Sequence, residues 1–196
     1  TNPSEPITSS GSAEVTFFGD TQVETRPITN GTANMSGLPA DETFVAVVDM
    51  DGYYQRRVLV SSLFEQQTVY LLNESETAVD VEFFLDDSTG EFSSGDVELT
   101  VEKAIVVNNS TAFRVVVGDR ISASGGLPAF LEEGARYRLT VSKDGQQRSL
   151  GSWTASSGGI VELPIGRVEL SGDFDEGWLL EHSIDEEQSG DVLRIK

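Results

Sequence analysis

Apolar residues in this chain fall mostly at every second position and in short runs. In VDVEFFL, Val79, Val81, Phe83 and Leu85 share one parity with polar neighbours between them, and Val97, Leu99 and Val101 alternate with Glu98, Thr100 and Glu102. A period of two places successive side chains on opposite faces of an extended strand, so each run predicts a strand with one face in a core. The same reading gives strands at Glu14–Phe18, at Thr21–Arg26 with a stop at Pro27, and at Gln67–Leu72. It adds Phe113–Val117, a segment at Trp153, Ile160–Ile165 and a last strand at Val192–Ile195. Ser61–Gln66 reads as a crossover loop or a single helical turn. No run of ten or more residues carries a helical apolar stripe, so many short strands joined by Gly-rich turns predict an all-β chain of antiparallel β-sandwiches.

Two hairpins stand out because they share wording. Gly37 to Val60 reads GLPADETFVAVVDMDGYYQRRVLV, and Gly126 to Leu150 reads GLPAFLEEGARYRLTVSKDGQQRSL. Each has a Gly-Leu-Pro-Ala opening, an aromatic entering an alternating strand (Phe44, Tyr137) and an Asp-Gly turn (Asp51-Gly52, Asp144-Gly145). The openings lie 89 residues apart and the turns 93, so the second copy has four more residues ahead of its strand. A repeat of that spacing is domain-sized. Asp49, Tyr53 and Tyr54 become Ser142, Gln146 and Gln147 in the second copy, so what repeats is hairpin architecture rather than a site. The expected organisation is a flexible leader over 1–13, a first sandwich over 14–75, a second over 76–170, and an acidic C-terminal extension over 171–196 that packs on the second domain or forms a third element.

Charge narrows the setting. The 196 residues hold 33 Asp plus Glu against 13 Lys plus Arg, a net charge of -20, and 38% hydrophobic residues suffice for a core in each domain. Such a surface repels phosphates and anionic lipid, which argues against nucleic acid and membrane-surface partners. The acids are dispersed among apolar residues rather than blocked into a tail, and Lys103, Lys143 and Lys196 are the only lysines. That pattern resembles proteins of salt-in halophiles, haloarchaea above all, in which salt screens the self-repulsion.

No apolar run is long enough to span a bilayer, and the chain opens at Thr1 without a signal-type apolar segment, as expected of a mature product or excised ectodomain. Cysteine is absent, which excludes a disulfide framework, a thiolate nucleophile and zinc-thiolate chemistry. Five sequons, at Asn30, Asn34, Asn73, Asn108 and Asn109, fall at turns or strand ends and predict an extracellular or surface glycoprotein.

Catalytic patterns are thin. His182 is the only histidine, it lies in the acidic extension, and no Gly-x-Ser-x-Gly elbow accompanies it. With 33 acids, any carboxylate pair for glycoside chemistry is uninformative until its separation is known. No phosphate-binding glycine loop or zinc pattern occurs. Calcium is the one metal with candidates: Asp49 with Asp51, Asp86 with Asp87, and Asp173 with Asp175 are hard-oxygen clusters, although Val60 stands where a calcium loop of the helix-loop-helix type places its glutamate. Tyr53, Tyr54, Trp153 and Trp178 are candidates for sugar stacking on an exposed sheet face, with core packing the plainer role.

The segments GLPADETFVAVVDMDGYYQRRVLV and FLEEGARYRLTVSKDG resemble the carboxypeptidase-regulatory-like, transthyretin-like group of extracellular, immunoglobulin-like sandwich domains, well over Glu14–Leu72 and less completely over Val79–Ile165. The resemblance implies tandem sandwiches of seven or eight strands serving as structural, adhesive or accessory modules, without catalytic residues. Together with the acidic surface it also resembles modules on archaeal cell surfaces and on archaeal virus particles. The expected function is therefore a non-enzymatic extracellular structural or adhesion module with protein partners or self-assembly, and a carbohydrate-binding accessory module is the alternative, ahead of a glycoside-processing enzyme.

Overall fold

β-branched and aromatic residues at alternating positions build twelve strands among the residues that the computed structural model describes, which are 13–20, 23–39, 42–61, 67–87, 97–107, 109–121 and 125–164. In chain order these are β1 (Ala13–Phe18), β2 (Val23–Pro27), β3 (Thr43–Met50), β4 (Tyr53–Ser61), β5 (Leu72–Asn73) and β6 (Ala78–Asp86). There follow β7 (Val97–Val107), β8 (Ser110–Ile121), β9 (Leu127–Glu132), β10 (Arg136–Lys143), β11 (Gln146–Thr154) and β12 (Gly159–Pro164). No helix occurs among the described residues.

The first five strands form one antiparallel sheet in the order β2-β1-β3-β4-β5. One face gathers Val15, Phe17, Phe44, Ala46, Val48, Val58 and Val60 into a cluster, with Phe17 set edge-on to Phe44 at 6.5 Å. Among the described residues, connecting chain rather than a second sheet covers that face: Leu38 is buried there and Ile28, Ala33, Met35, Val69 and Leu71 pack against it. The covering loop is pinned at both ends. Asn30 and Gly31 (φ 49° and 71°) make a tight turn closed by two backbone bonds between Thr29 and Thr32, and the Arg26 guanidinium donates to the carbonyls of Asn34 and Ser36, both at 2.7 Å.

The remaining strands make two sheets, β11-β10-β7-β8 and β12-β6-β9. They face each other across a second cluster that includes Val81, Phe83, Leu99, Val101, Leu131, Tyr137 and Val141, all nearly inaccessible. This is the sandwich that period-of-two strands call for. The last strand, β12, returns to lie parallel to the first, β6, so the sheet order is not that of an immunoglobulin constant domain, where the first strand lies with the second, fourth and fifth. The buried members of the two clusters divide between Val60 and Val79, and in the stretch between them Val69 and Leu71 pack on the first cluster and Tyr70 on the second.

Several elements differ from the sequence reading. β9 runs from the second Gly-Leu-Pro-Ala opening toward its hairpin strand, where no strand was predicted; Leu127, Ala129 and Leu131 alternate inward, and pairing with β6 over Ala78–Phe83 fixes them. The shared Gly-Leu-Pro-Ala words thus serve different ends: in the first copy Leu38 plugs a core from a loop, in the second Leu127 opens a strand. The two Asp-Gly turns also differ. Asp144 and Gly145 both have positive φ (51° and 78°), the hairpin geometry that joins twisted strands directly, whereas at Asp51-Gly52 only Gly52 does (80°) and a bulge lies between Val48 and Met50. The strand predicted over Gln67–Leu72 shrinks to Leu72–Asn73. Ser62–Gln66, the acidic extension over 171–196 and the strand at Val192–Ile195 lie outside the described residues.

Candidate functional site

Val45 and Val47 of β3 are buried without belonging to either cluster, on the face opposite Phe44, Ala46 and Val48. Their side of the five-stranded sheet is where β8 lies against β3 and β4. Approach is close because residue 118 is glycine: a Cβ there would stand 2.9 Å from the Leu59 backbone nitrogen. Around this contact the chain spends its scarce positive charge. Arg57 of β4 pairs with Asp119 of β8, whose side chain is 7% exposed and also accepts from the Arg120 amide at 2.7 Å. Arg120 in turn pairs with Asp20 and donates to the Thr43 carbonyl at 3.0 Å. Arg56 donates to the Phe130 carbonyl at 2.6 Å, and the Phe130 ring stacks on Tyr54 at 4.6 Å. Arg114 lies over the Tyr70 ring at 5.9 Å. Three of the ten arginines, Arg56, Arg57 and Arg120, thus bridge the five-stranded sheet and the sandwich, and the exposed Arg114 lies against the connecting stretch.

Arg56 is the costly member. It is 4% exposed and its Nε has no hydrogen-bond partner, so burial pulls its pKa down to about 10, with Tyr137 and Glu132 partly offsetting the loss of solvent. Burial pushes the Tyr137 hydroxyl the other way, up to about 12, against the pull of its backbone hydrogen bond at Glu132 and of Arg56. The hydroxyl accepts from the Glu132 amide at 2.9 Å, which locks the start of β10 to the end of β9. Linkage gives these groups opposite slopes. A depressed arginine pKa means the folded state loses its proton first, so stability rises with pH above about 10; a raised tyrosine pKa means stability is full below the unfolded tyrosine value and falls as pH climbs toward about 12. Arg56→Met keeps the packing and removes the desolvated charge, so it is expected to hold neutral-pH stability to within about 1 kcal/mol or raise it, whereas Arg56→Ala costs about 2–3 kcal/mol through the void. In Arg56→Met the tyrosine slope stands alone, and denaturant titration between pH 10 and pH 12 should show a steeper alkaline loss than the wild type. Equal alkaline slopes in the two proteins would refute this account.

The residues singled out in the sequence are scattered. Asp49 and Asp51 lie exposed at the β3–β4 hairpin, Asp86 ends β6 with Asp87 next to it, and Asp173 and Asp175 lie outside the described residues. Among the described residues no group of three or more histidines, aspartates and glutamates comes together to hold a metal. Asn30 is at an exposed turn and Asn34 is exposed, its Oδ1 accepting from the Ser36 amide. Asn73 is half-buried in β5 with its Oδ1 accepting from the Ser75 amide, Asn109 sits at a hairpin tip with φ 62°, and Asn108 is outside the described residues. Trp153 is half-buried and packs on the sandwich core, edge-on to Phe83 at 6.2 Å, and one face of the half-buried Tyr54 ring is stacked on Phe130; Trp178 and His182 lie outside the described residues. Tyr53 is half-buried opposite Asn73.

The outer face of the four-stranded sheet is polar. Its cross-strand rungs set Glu98 beside Ser142, Thr100 beside Thr140 and Glu102 beside Arg138, and a shallow cleft of about 610 Å3 lies over Thr100, Glu102, Arg138, Thr140, Gln147 and Ser149. Arg138 is held there by Glu102 at 2.7 Å and by the Phe113 ring at 4.2 Å. Sequence reading placed Glu98, Thr100 and Glu102 on the polar side of their strand and missed the arginine junction altogether. The available signal was Arg56, which continues the parity of the core residues Val58 and Val60 and therefore had to be buried if the strand was regular. Comparison with protein-family models, with curated proteins and with solved structures finds no match to this chain.

Proposed function

We propose that this chain is a non-enzymatic extracellular structural module of a halophile, built from transthyretin-like sandwich architecture, that decorates or tethers a cell-surface layer or a virion through protein contacts. The observation that carries this reading is the arginine junction. A chain of net charge -20 that commits three of its ten arginines to one internal seam is built to hold two β bodies together as a rigid unit, while the dispersed acids keep the rest of its surface hydrated in strong salt. Rigid, load-bearing spacing is what a surface layer asks of its modules. Fractionation of native cells or particles tests it: the chain is expected with envelopes or virions in molar salt, and recovery in the cytosolic fraction would sink the reading.

Carbohydrate binding is the second reading, and the cleft over Thr100, Glu102, Arg138 and Thr140 favours it, since hydroxyl, carboxylate and guanidinium groups converge there on a firm sheet. Sugar binding lost on Glu102→Gln would support it.

A further inference from the structure

The β7–β8 hairpin outruns its sheet. β10 pairs with β7 only from Glu98 to Lys103, but β7 continues to Val107 against β8, so Ala104–Val107 and Ser110–Phe113 form a two-stranded arm beyond the sandwich. Among the described residues no strand pairs with the β7 edge of this arm. Two of its apolar side chains are exposed: Val106 is 78% accessible, the highest value among the described large hydrophobic residues, and Val107 is 38%, while Ala104 and Ile105 are half-buried. The stretch from Ala104 to Phe113, AIVVNNSTAF, contains no charged residue.

The other free edges are guarded or very short. β2 carries Glu24, Arg26 and Pro27; β9 carries Pro128 and Glu132; β11 carries Arg148; β12 carries Glu162 and Pro164; β8 carries Arg114, Asp119 and Arg120 below the arm; and β5 is two residues long. Charge and proline on an edge are how sheets refuse further strands, and the arm has neither. We infer that the β7 edge of the arm, Ala104–Val107, is the self-association surface of this protein, pairing antiparallel with the same edge of a second copy about a two-fold axis near Val106. Charge selects the occupant. Two molecules of net charge -20 repel each other across most surfaces, and an uncharged arm standing clear of the body lets them join backbone to backbone with the acidic faces held apart. The antiparallel edge is self-complementary by construction, so residue 106 meets its own counterpart and the valines and Ile105 cover one another.

This inference rests on the structural reading proposed above and names its contact. Sedimentation velocity of the full chain in molar KCl provides the test. The wild type is expected to show a reversible dimer, and Val106→Asp to weaken it at least about tenfold because two carboxylates then face each other across the pair. Ile160→Asp, at another exposed apolar position (69%) on a guarded edge, should leave the dimer intact. Circular dichroism of Val106→Asp matching the wild type shows that the fold is retained, as expected for so exposed a site. A dimer that survives Val106→Asp overturns the arm as the contact and leaves the structural reading standing. A wild type that stays monomeric, or native material with a glycan on Asn109 at the arm's tip, also overturns it, whereas recovery from the cytosol counts against the structural reading itself.

Discussion

The melting temperature of this chain is expected to climb by roughly 10 °C or more between about 0.01 M and about 1 M KCl, as the Debye length falls from about 30 Å to about 3 Å. The repulsion being screened comes from 33 acids facing 13 basic residues. The structure makes the imbalance at the surface sharper than that ratio. Arg57 and Arg120 are committed to the seam and Arg56 is buried in it, while Arg26 holds a loop and Arg138 is paired with Glu102. For a chain of this size each kcal/mol of relieved repulsion moves the midpoint by about 2–4 °C, so several kcal/mol suffice. Chloride is the better choice than sulfate, because sulfate also strengthens apolar burial and would blur the charge effect. A flat melting temperature across the series would remove the halophilic reading, and with it the reason for arginine being reserved to internal contacts.

Gly118→Val should be among the most damaging single substitutions outside the two cores. Even a bare Cβ at this position stands 2.9 Å from the Leu59 amide nitrogen, so the side chain drives β8 off β4. Overpacking of this kind costs about 1–3 kcal/mol, and the branched valine belongs at the upper end. The Arg57–Asp119 pair sits one residue away and would be stretched with it, leaving a nearly buried carboxylate short of its partner. Chemical unfolding should show the loss, and hydrogen exchange should speed up in β4 and β8 before the sandwich interior. Because the clash is with backbone, adding Leu59→Ala should not rescue Gly118→Val; the Leu59 side chain itself is in ordinary contact at 3.5–3.6 Å. Recovery in the double variant would show that side-chain bulk, not strand approach, sets the seam.

How much of this could be read ahead depended on how local the physics was. Strand identity was legible where one face is apolar and the other polar, as in VDVEFFL, because alternation is set by backbone geometry within a few residues. β9 escaped because LPAFLE carries a proline and sits beside a phrase that in the first copy is a loop; Leu127, Ala129 and Leu131 needed β6 beside them to become a strand. The near-identical Asp-Gly turns promised one geometry and took two, since the bulge beside Met50 changes how β4 leaves its turn. The five-stranded sheet took a covering loop where a second sheet was expected, because Leu38, Met35 and Ile28 supply apolar cover without needing strand partners.

The sequence by itself determined that this chain is built of strands, that its surface is strongly acidic, and which parity of each strand seeks a core, since those follow from composition and from the two-residue repeat of an extended backbone. The tertiary structure decided the seam and the arm. Arg56 and Phe130 lie 74 residues apart and Arg120 and Asp20 lie 100 apart, so no local pattern announces that they meet. The arm exists only because β10 stops pairing at Lys103 while β7 runs on to Val107. Which edges are paired and which are left open is a property of strands brought together from distant parts of the chain, and that is settled by packing.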